Sequence, residues 1–238
     1  MLVSSENLLN SIKQIRHACI KFDIDNKIVY FDPFDITENY FDADIIFVTH
    51  PHDDHFSIEN IKKVIKSCTT IIVPRYIKTD DPNNKSIKSE IEKLIDRYMY
   101  NEVIEVEINE KYAFKGISFE TVPAYNKNHP KENEWLGYTI DVQGSKVYVA
   151  GDTEATQELK NLNVDLVILP IDGAFNMSPI EAVDAIKNIK KKPRLVVPYH
   201  FGNEKFDKMF NVSTKGKDDI FKTTFEKVDS HKWAYKIK

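Results

Sequence analysis

Three histidines and two aspartates fall in six consecutive residues, His50-Pro51-His52-Asp53-Asp54-His55. Imidazole and carboxylate side chains together suit zinc, and also manganese or iron. His50 and His52 are two apart and can turn toward one point, while Asp54 and His55 are adjacent and can face a second. Three other segments follow the same grammar, an apolar run that ends in a ligand-type side chain. VYVAGDT places Asp152 after Val147–Ala150, with Gly151 allowing a sharp turn; RLVVPYHFG places His200 after Val196-Val197; ISFETVPAYNKNH places His129 a few residues past a strand. A lone Gly-Asp-Thr reads as a turn or helix cap, and a lone histidine at a strand end as a satisfied core residue. Joined to the first cluster they read as a metal centre.

Such a centre needs a scaffold that delivers several chain segments to one place. The run DIIFVT at 44–49, immediately before His50, is apolar enough to be a strand buried on both faces. TIIVP (70–74), DLVILP (165–170) and RLVVPY (194–199) read the same way. Residues 18–32 alternate around Asp25-Asn26 and predict a hairpin. Ser57 is placed to cap a helix bearing Ile58, Ile61 and Ile65, and helical spacing recurs from Ile87 to Tyr98 after a loop at 79–86. Further strands are expected near 103–108, 111–123, 137–142 and 146–150, and a short helix near Glu154. Ser178-Pro179-Ile180-Glu181 is a capping box with proline at the first helical position, for a helix running to about Asn188. A helix near 217–228 and a last strand, WAYKI, complete the pattern. Nothing reads as a linker or repeat, so one domain over 1–238 is expected, with two sheets face to face and helices outside.

Composition narrows the function classes. The chain has 238 residues, 42% of them apolar, and a net charge of −4. That composition supports a sizeable core, and the charge argues against a generic nucleic-acid binder. The basic run Lys187, Lys190, Lys191, Lys192 and Arg194 suits the negative end of a helix. Two cysteines, Cys19 and Cys68, make no disulfide framework and are expected as buried thiols. There is no glycine-rich phosphate loop, no stretch long and apolar enough for a membrane span, and Glu6, Lys13 and Arg16 interrupt any secretory leader. A soluble, cytoplasmic protein is expected. The sequence fixes neither an oligomeric state nor a substrate.

The order His-x-His-x-Asp-His, distant His, Gly-Asp and last strand-terminal His resembles the metallo-β-lactamase fold superfamily, over about Ile20 to Gly202. More narrowly, IVYFDPF, VPAYN followed by HPKEN, GYTIDVQGSKVYVAGDT and VPYHFG look like its small single-domain metal-dependent hydrolases, in the branch near L-ascorbate-6-phosphate lactonase. The resemblance implies an α+β fold, a four-layer αβ/βα sandwich with two metals at one edge of its sheets. His50, His52 and His129 would hold the first metal, Asp54, His55 and His200 the second, and Asp152 would bridge. His129 is flanked by Asn-His-Pro-Lys, unlike the pattern of many relatives. His17 and His231 match no motif position and are expected to be ordinary, partly exposed histidines.

The implied chemistry is a binuclear metal-dependent hydrolase with two divalent ions, Zn2+ first, with Mn2+ or Fe2+ as alternatives. The ions would lower the pKa of a shared water toward neutrality and supply the nucleophile. Asp54 is the expected catalytic residue, orienting that nucleophile or accepting its proton. The expected substrate is a small-molecule ester, lactone or phosphoester, with Lys127 or Lys131 as readers of an anionic group and Tyr125 as an oxyanion donor. Asp53 is either a partner of a ligand imidazole or a helix cap. Phe175-Asn176-Met177 either walls the pocket or packs the core, and Asp32 supports loop geometry near the metals. Competing readings are a phosphodiesterase or nuclease, a non-catalytic metal-binding relative, and an oxygen-reducing di-iron protein, which would need an appended flavin domain.

Overall fold

A computed structural model describes residues 4–75, 102–201, 220, 226–227 and 234–237. The expected loop at 79–86, the helix at 87–98 and His231 lie outside the described residues. Two sheets carry the fold. The first has six strands in sequence order: β1 (Ile12–Arg16), β2 (Cys19–Ile24), β3 (Lys27–Phe31), β4 (Ala43–Phe47), β5 (Ile65–Pro74) and β6 (Glu102–Val106). The second comprises β7 (Lys111–Phe114), β8 (Ile117–Pro123), β9 (Leu136–Val142), β10 (Ser145–Val149), β11 (Leu166–Pro170), β12 (Leu195–Tyr199), β13 (Glu226–Lys227) and β14 (Tyr235–Lys236). Its order is β13-β14-β12-β11-β10-β9-β8-β7. Strands β3 to β6 run parallel, as do β10 to β12.

The apolar runs are unbroken because each strand faces two cores. On β4, Ile45 and Phe47 point between the sheets, packing with Phe31, Phe119 and Tyr138, while Ile46 and Val48 point outward. That outer face is covered by helix α2 (Ile58–Val64) through Ile61 and Val64. On β11, Leu166 and Ile168 face the inner core, and Val167 and Leu169 face outward onto Ala182, Val183 and Ile186. Those three belong to helix α4 (Pro179–Asn188), which carries the expected capping box of Ser178 and Glu181. Period-two alternation between two apolar layers gives the four-layer α+β sandwich. No helix of the described residues is long and apolar enough to cross a membrane.

Several local expectations are corrected. The segment 111–123 is two strands, because Lys115 and Gly116 both take positive φ (48° and 80°) and reverse the chain. The short helix, α3 (Gln157–Lys160), starts later than Glu154 because Thr156 caps it. Ser57 is the N-cap of α2 but makes no side-chain cap bond. Residues 226–227, expected as helix, pair with β14. Cys19 is buried as expected, whereas Cys68 is exposed at a positive-φ position in β5. A six-residue helix, α1 (Ser5–Asn10), and β1 precede the elements read from sequence.

Candidate metal centre

The carboxyl ends of the strands deliver the ligand-type side chains to one edge of the sandwich. β4 leads into His50, His52, Asp54 and His55; β8 leads into His129; β10 leads into Asp152; and β12 leads directly into His200. Gly151 makes the turn before Asp152 with φ 63°, and a Cβ there would lie 3.0 Å from the Leu136 carbonyl oxygen and from Thr49 Cβ. The loop after β4 is thus pressed against the one after β10.

Three groups of candidate ligand atoms result: His50, His52 and His129; His50, His55 and Asp152; and His17, Asp54 and His200. All seven side chains expected at the site lie in these groups. Asp152, a member of the group with His50 and His55, stands between the other two. Its Oδ2 is 4.0 Å from His50 Nε2 and 3.9 Å from His129 Nδ1, and its Oδ1 is 3.2 Å from both His55 Nε2 and His200 Nε2. Asp54 Oδ2 is 3.5 Å from His200 Nε2 and 3.8 Å from His55 Nε2.

Buried partners set the tautomers. Asp32, fully buried, accepts from Thr49 N (2.8 Å) and Thr49 Oγ1 (2.7 Å), and its Oδ2 lies 2.7 Å from His55 Nδ1. His55 therefore donates through Nδ1 and turns Nε2 to the centre. The Thr49 hydroxyl spends its proton on Asp32, so at 3.0 Å it accepts from His50 Nδ1, again freeing Nε2. Asp172 Oδ2 lies 3.0 Å from His200 Nδ1 and does the same for that ring. Asp172 is itself fixed by the N–H groups of Ala174, Phe175 and Asn176 and by the Asn176 amide. The chain continues, since Asn176 Oδ1 accepts from Asn126 Nδ2 at 3.0 Å, and that nitrogen is 3.1 Å from His129 Nδ1. Partners that accept from a ligand imidazole, as Asp32, Thr49 and Asp172 do, orient the ring and raise its basicity, whereas the Asn126 amide donates to His129 Nδ1 and only orients that ring.

Buried His55 Nε2, His200 Nε2 and Asp152 Oδ1 converge without a hydrogen bond among them. Leaving three such atoms unbonded is costly, and a cation is the partner this donor set fits. The charges agree. Burial disfavours the charged form of His200, but Asp152, Asp172 and Asp54 raise it to about 10. His55 is likewise driven up against its burial by Asp152, Asp54 and Asp32. Burial would raise Asp152 and Asp54, yet the surrounding imidazoles hold both well below the usual carboxylate range. This half of the site demands positive charge. In the other half, burial lowers His129 to about 4 and His50 well below 6.5. Those rings are neutral at pH 7, as ligation requires.

His17 is a correction. Its side chain is only 5% exposed, and its Nε2 lies 3.0 Å from Asp54 Oδ2. Tyr125 and Lys131 are also placed differently from expectation. The Tyr125 hydroxyl donates to Glu158 at 2.7 Å, Lys131 pairs with Glu158 at 2.6 Å, and the ammonium sits over the Tyr125 ring. Both therefore serve a surface cluster. Lys127 and Asp53 are exposed. Phe175 is 38% exposed, Asn176 belongs to the buried hydrogen-bond chain, and Met177 packs in the outer core. Trp135 was not read from sequence. Its ring lies 5.0 Å from the rings of His50, His52 and His129 and walls that cluster.

A β-sandwich flanked by helices, with histidines and aspartates gathered at one edge, defines the metallo-β-lactamase type of fold. The chain belongs to the beta-lactamase superfamily domain family, whose sequence model matches residues 11–200. Among curated relatives, a UPF0173 metal-dependent hydrolase of Thermococcus kodakarensis is 30% identical over 207 residues, covering 80% of this chain and 84% of its own. Another from Thermococcus onnurineus is 29% identical over 209 residues, with the same shares of 80% and 84%. A solved structure from Parabacteroides distasonis, assigned in name as a metal-dependent hydrolase, superposes with a TM-score of 0.64 at 26% identity, covering 89% of this chain and 87% of its own.

Proposed function

We propose that this protein is a metal-dependent hydrolase with a two-cation centre, acting on a small-molecule ester, lactone or phosphoester. The observation that supports this reading is the convergence of His50, His52, His129, Asp54, His55, Asp152 and His200 from four strand ends. His50, His52 and His129 would hold one divalent ion, zinc being the first candidate, and Asp54, His55 and His200 the other, with Asp152 between them. Bound there, the ions supply Lewis acidity and lower the pKa of water toward neutrality.

The chain's own residues do the rest. Asp32, Thr49 and Asp172 keep the Nε2 lone pairs of His55, His50 and His200 aimed at the centre. Asp54 stays ionised and is held by His17, so it orients a nucleophile and is a poor proton acceptor. Trp135 packs edge-on against His52, the ligand-type histidine of the first group that is exposed to solvent.

An activity screen of metal-loaded protein across lactones, esters, phosphomonoesters and phosphodiesters tests the proposal. Turnover that collapses in Asp54→Asn, with metal still at least partly bound, is expected. Inactivity across the panel, or full activity in Asp54→Asn, would count against it. Cleavage of a labelled RNA lost in His52→Ala would move the assignment to a nuclease.

A further inference from the structure

We propose that His17, which lies outside the linear motif, is a positioning residue of the second cation site: its Nε2–H holds the Asp54 carboxylate in place. The inference rests on the two-cation reading above. Four observations carry it.

The first is contact. His17 Nε2 is 3.0 Å from Asp54 Oδ2, the same oxygen that faces His200 and His55. A donor on that oxygen fixes the carboxylate's rotamer. The second is place. The His17 ring packs 3.9 Å from the His200 ring and 5.9 Å from Phe34, and the His17 carbonyl accepts from His200 N at 3.2 Å. The β1–β2 turn is thereby bolted to the loop after β12.

The third is conformation. Arg16 pairs with Cys19, so His17 and Ala18 form a two-residue hairpin turn, with His17 at φ 47°. Glycine or asparagine takes such a position cheaply, whereas another L-residue pays about 1–2 kcal/mol. The turn alone does not call for histidine. His200 (φ 55°) is left-handed too, so two imidazoles in ring contact are each held in an uncommon backbone state, while Asp32 (φ 45°) is a residue type that tolerates it. The fourth is angle. The ring leans over His200 with 43° between planes, so one imidazole packs on the His200 ring while its Nε2 reaches the Asp54 carboxylate.

The test is stepwise titration of metal-free protein with Zn2+ against a chromophoric chelator, repeated with Co2+ and its absorption spectrum. His17→Phe keeps the ring packing and removes the donor; His17→Gln returns an N–H at similar reach. Expected in His17→Phe is a first step like that of the unmodified protein and a second step weakened about 10–100-fold, the usual cost of losing a partner behind a ligand. His17→Gln should recover most of that loss and keep the Co2+ spectrum. Equal second-step affinity in His17→Phe would overturn the proposal. So would a His17→Gln protein as weak as His17→Phe with an altered Co2+ spectrum, since that marks His17 as a ligand. If the unmodified protein takes no second ion, the two-cation reading itself fails. Should His17→Phe melt early and bind neither ion, His17→Asn, which suits the left-handed φ but falls short of Asp54, takes its place: a second step weakened to the same extent is expected, and parent-like affinity overturns the proposal.

Discussion

Asp32→Asn is nearly isosteric and removes one charge. The carboxylate accepts from Thr49 N at 2.8 Å, from Thr49 Oγ1 at 2.7 Å and from His55 Nδ1 at 2.7 Å. An amide cannot replace it in either orientation. With its oxygen on the Thr49 N–H, its NH2 faces His55 Nδ1, which must then surrender its proton and move it to Nε2. That blocks the lone pair aimed at the centre. With the amide turned over, NH2 meets the Thr49 N–H in a fully buried place, and an unsatisfied buried donor costs about 1–3 kcal/mol. Asparagine tolerates φ 45° as well as aspartate does, so the backbone adds no penalty. The first-orientation loss should resemble other losses of a carboxylate behind a ligand histidine, about 10–100-fold in ion affinity, or about 1.4–2.7 kcal/mol. Chelator-competition titration reads it as a weaker second step with the first step kept. A variant that melts like the parent and binds its second ion equally well would refute the tautomer argument.

Gly151→Ala meets two obstacles, a positive φ of 63° and contacts of 3.0 Å with the Leu136 carbonyl oxygen and Thr49 Cβ. Urea unfolding should show a loss of at least about 1 kcal/mol, and an unchanged midpoint would contradict the close approach of the two loops. The metal-free protein should lose stability on both sides of neutrality. His129 and His17 are held near about 4 by burial, below the usual 6.5, so their contribution is present above 6.5 and is lost as pH falls toward 4. His200 at about 10 has the opposite sign: its contribution is present below 6.5 and is lost as pH rises toward 10. Urea midpoints should peak near pH 6.5, and zinc should remove the alkaline limb by replacing the proton; a flat profile from pH 4.5 to 9 would contradict these environments.

What could be read in advance follows from distance along the chain. The six-residue cluster announces itself because its members are neighbours, and Asp152 and His200 because each ends an apolar run. The four layers follow from runs too apolar for strands with a wet face. His17 escaped because its partner Asp54 is 37 residues away and a histidine in a tight turn carries no local signal. Asp172 reads locally as a turn residue; its bond to His200 spans 28 residues. Tyr125 and Lys131 lie near His129 in sequence, but Glu158, 33 and 27 residues on, takes both. The place of Asp32 after β3 predicts loop support, and it does support Thr49, whereas its bond to His55 spans 23 residues and has no local signal.

The most direct test is the number and place of bound ions, by elemental analysis and anomalous diffraction of zinc-loaded crystals. The account predicts two ions per chain, one among His50, His52 and His129, the other among Asp54, His55 and His200, with Asp152 between. One ion or none, or ions bound away from this edge of the sandwich, would contradict it.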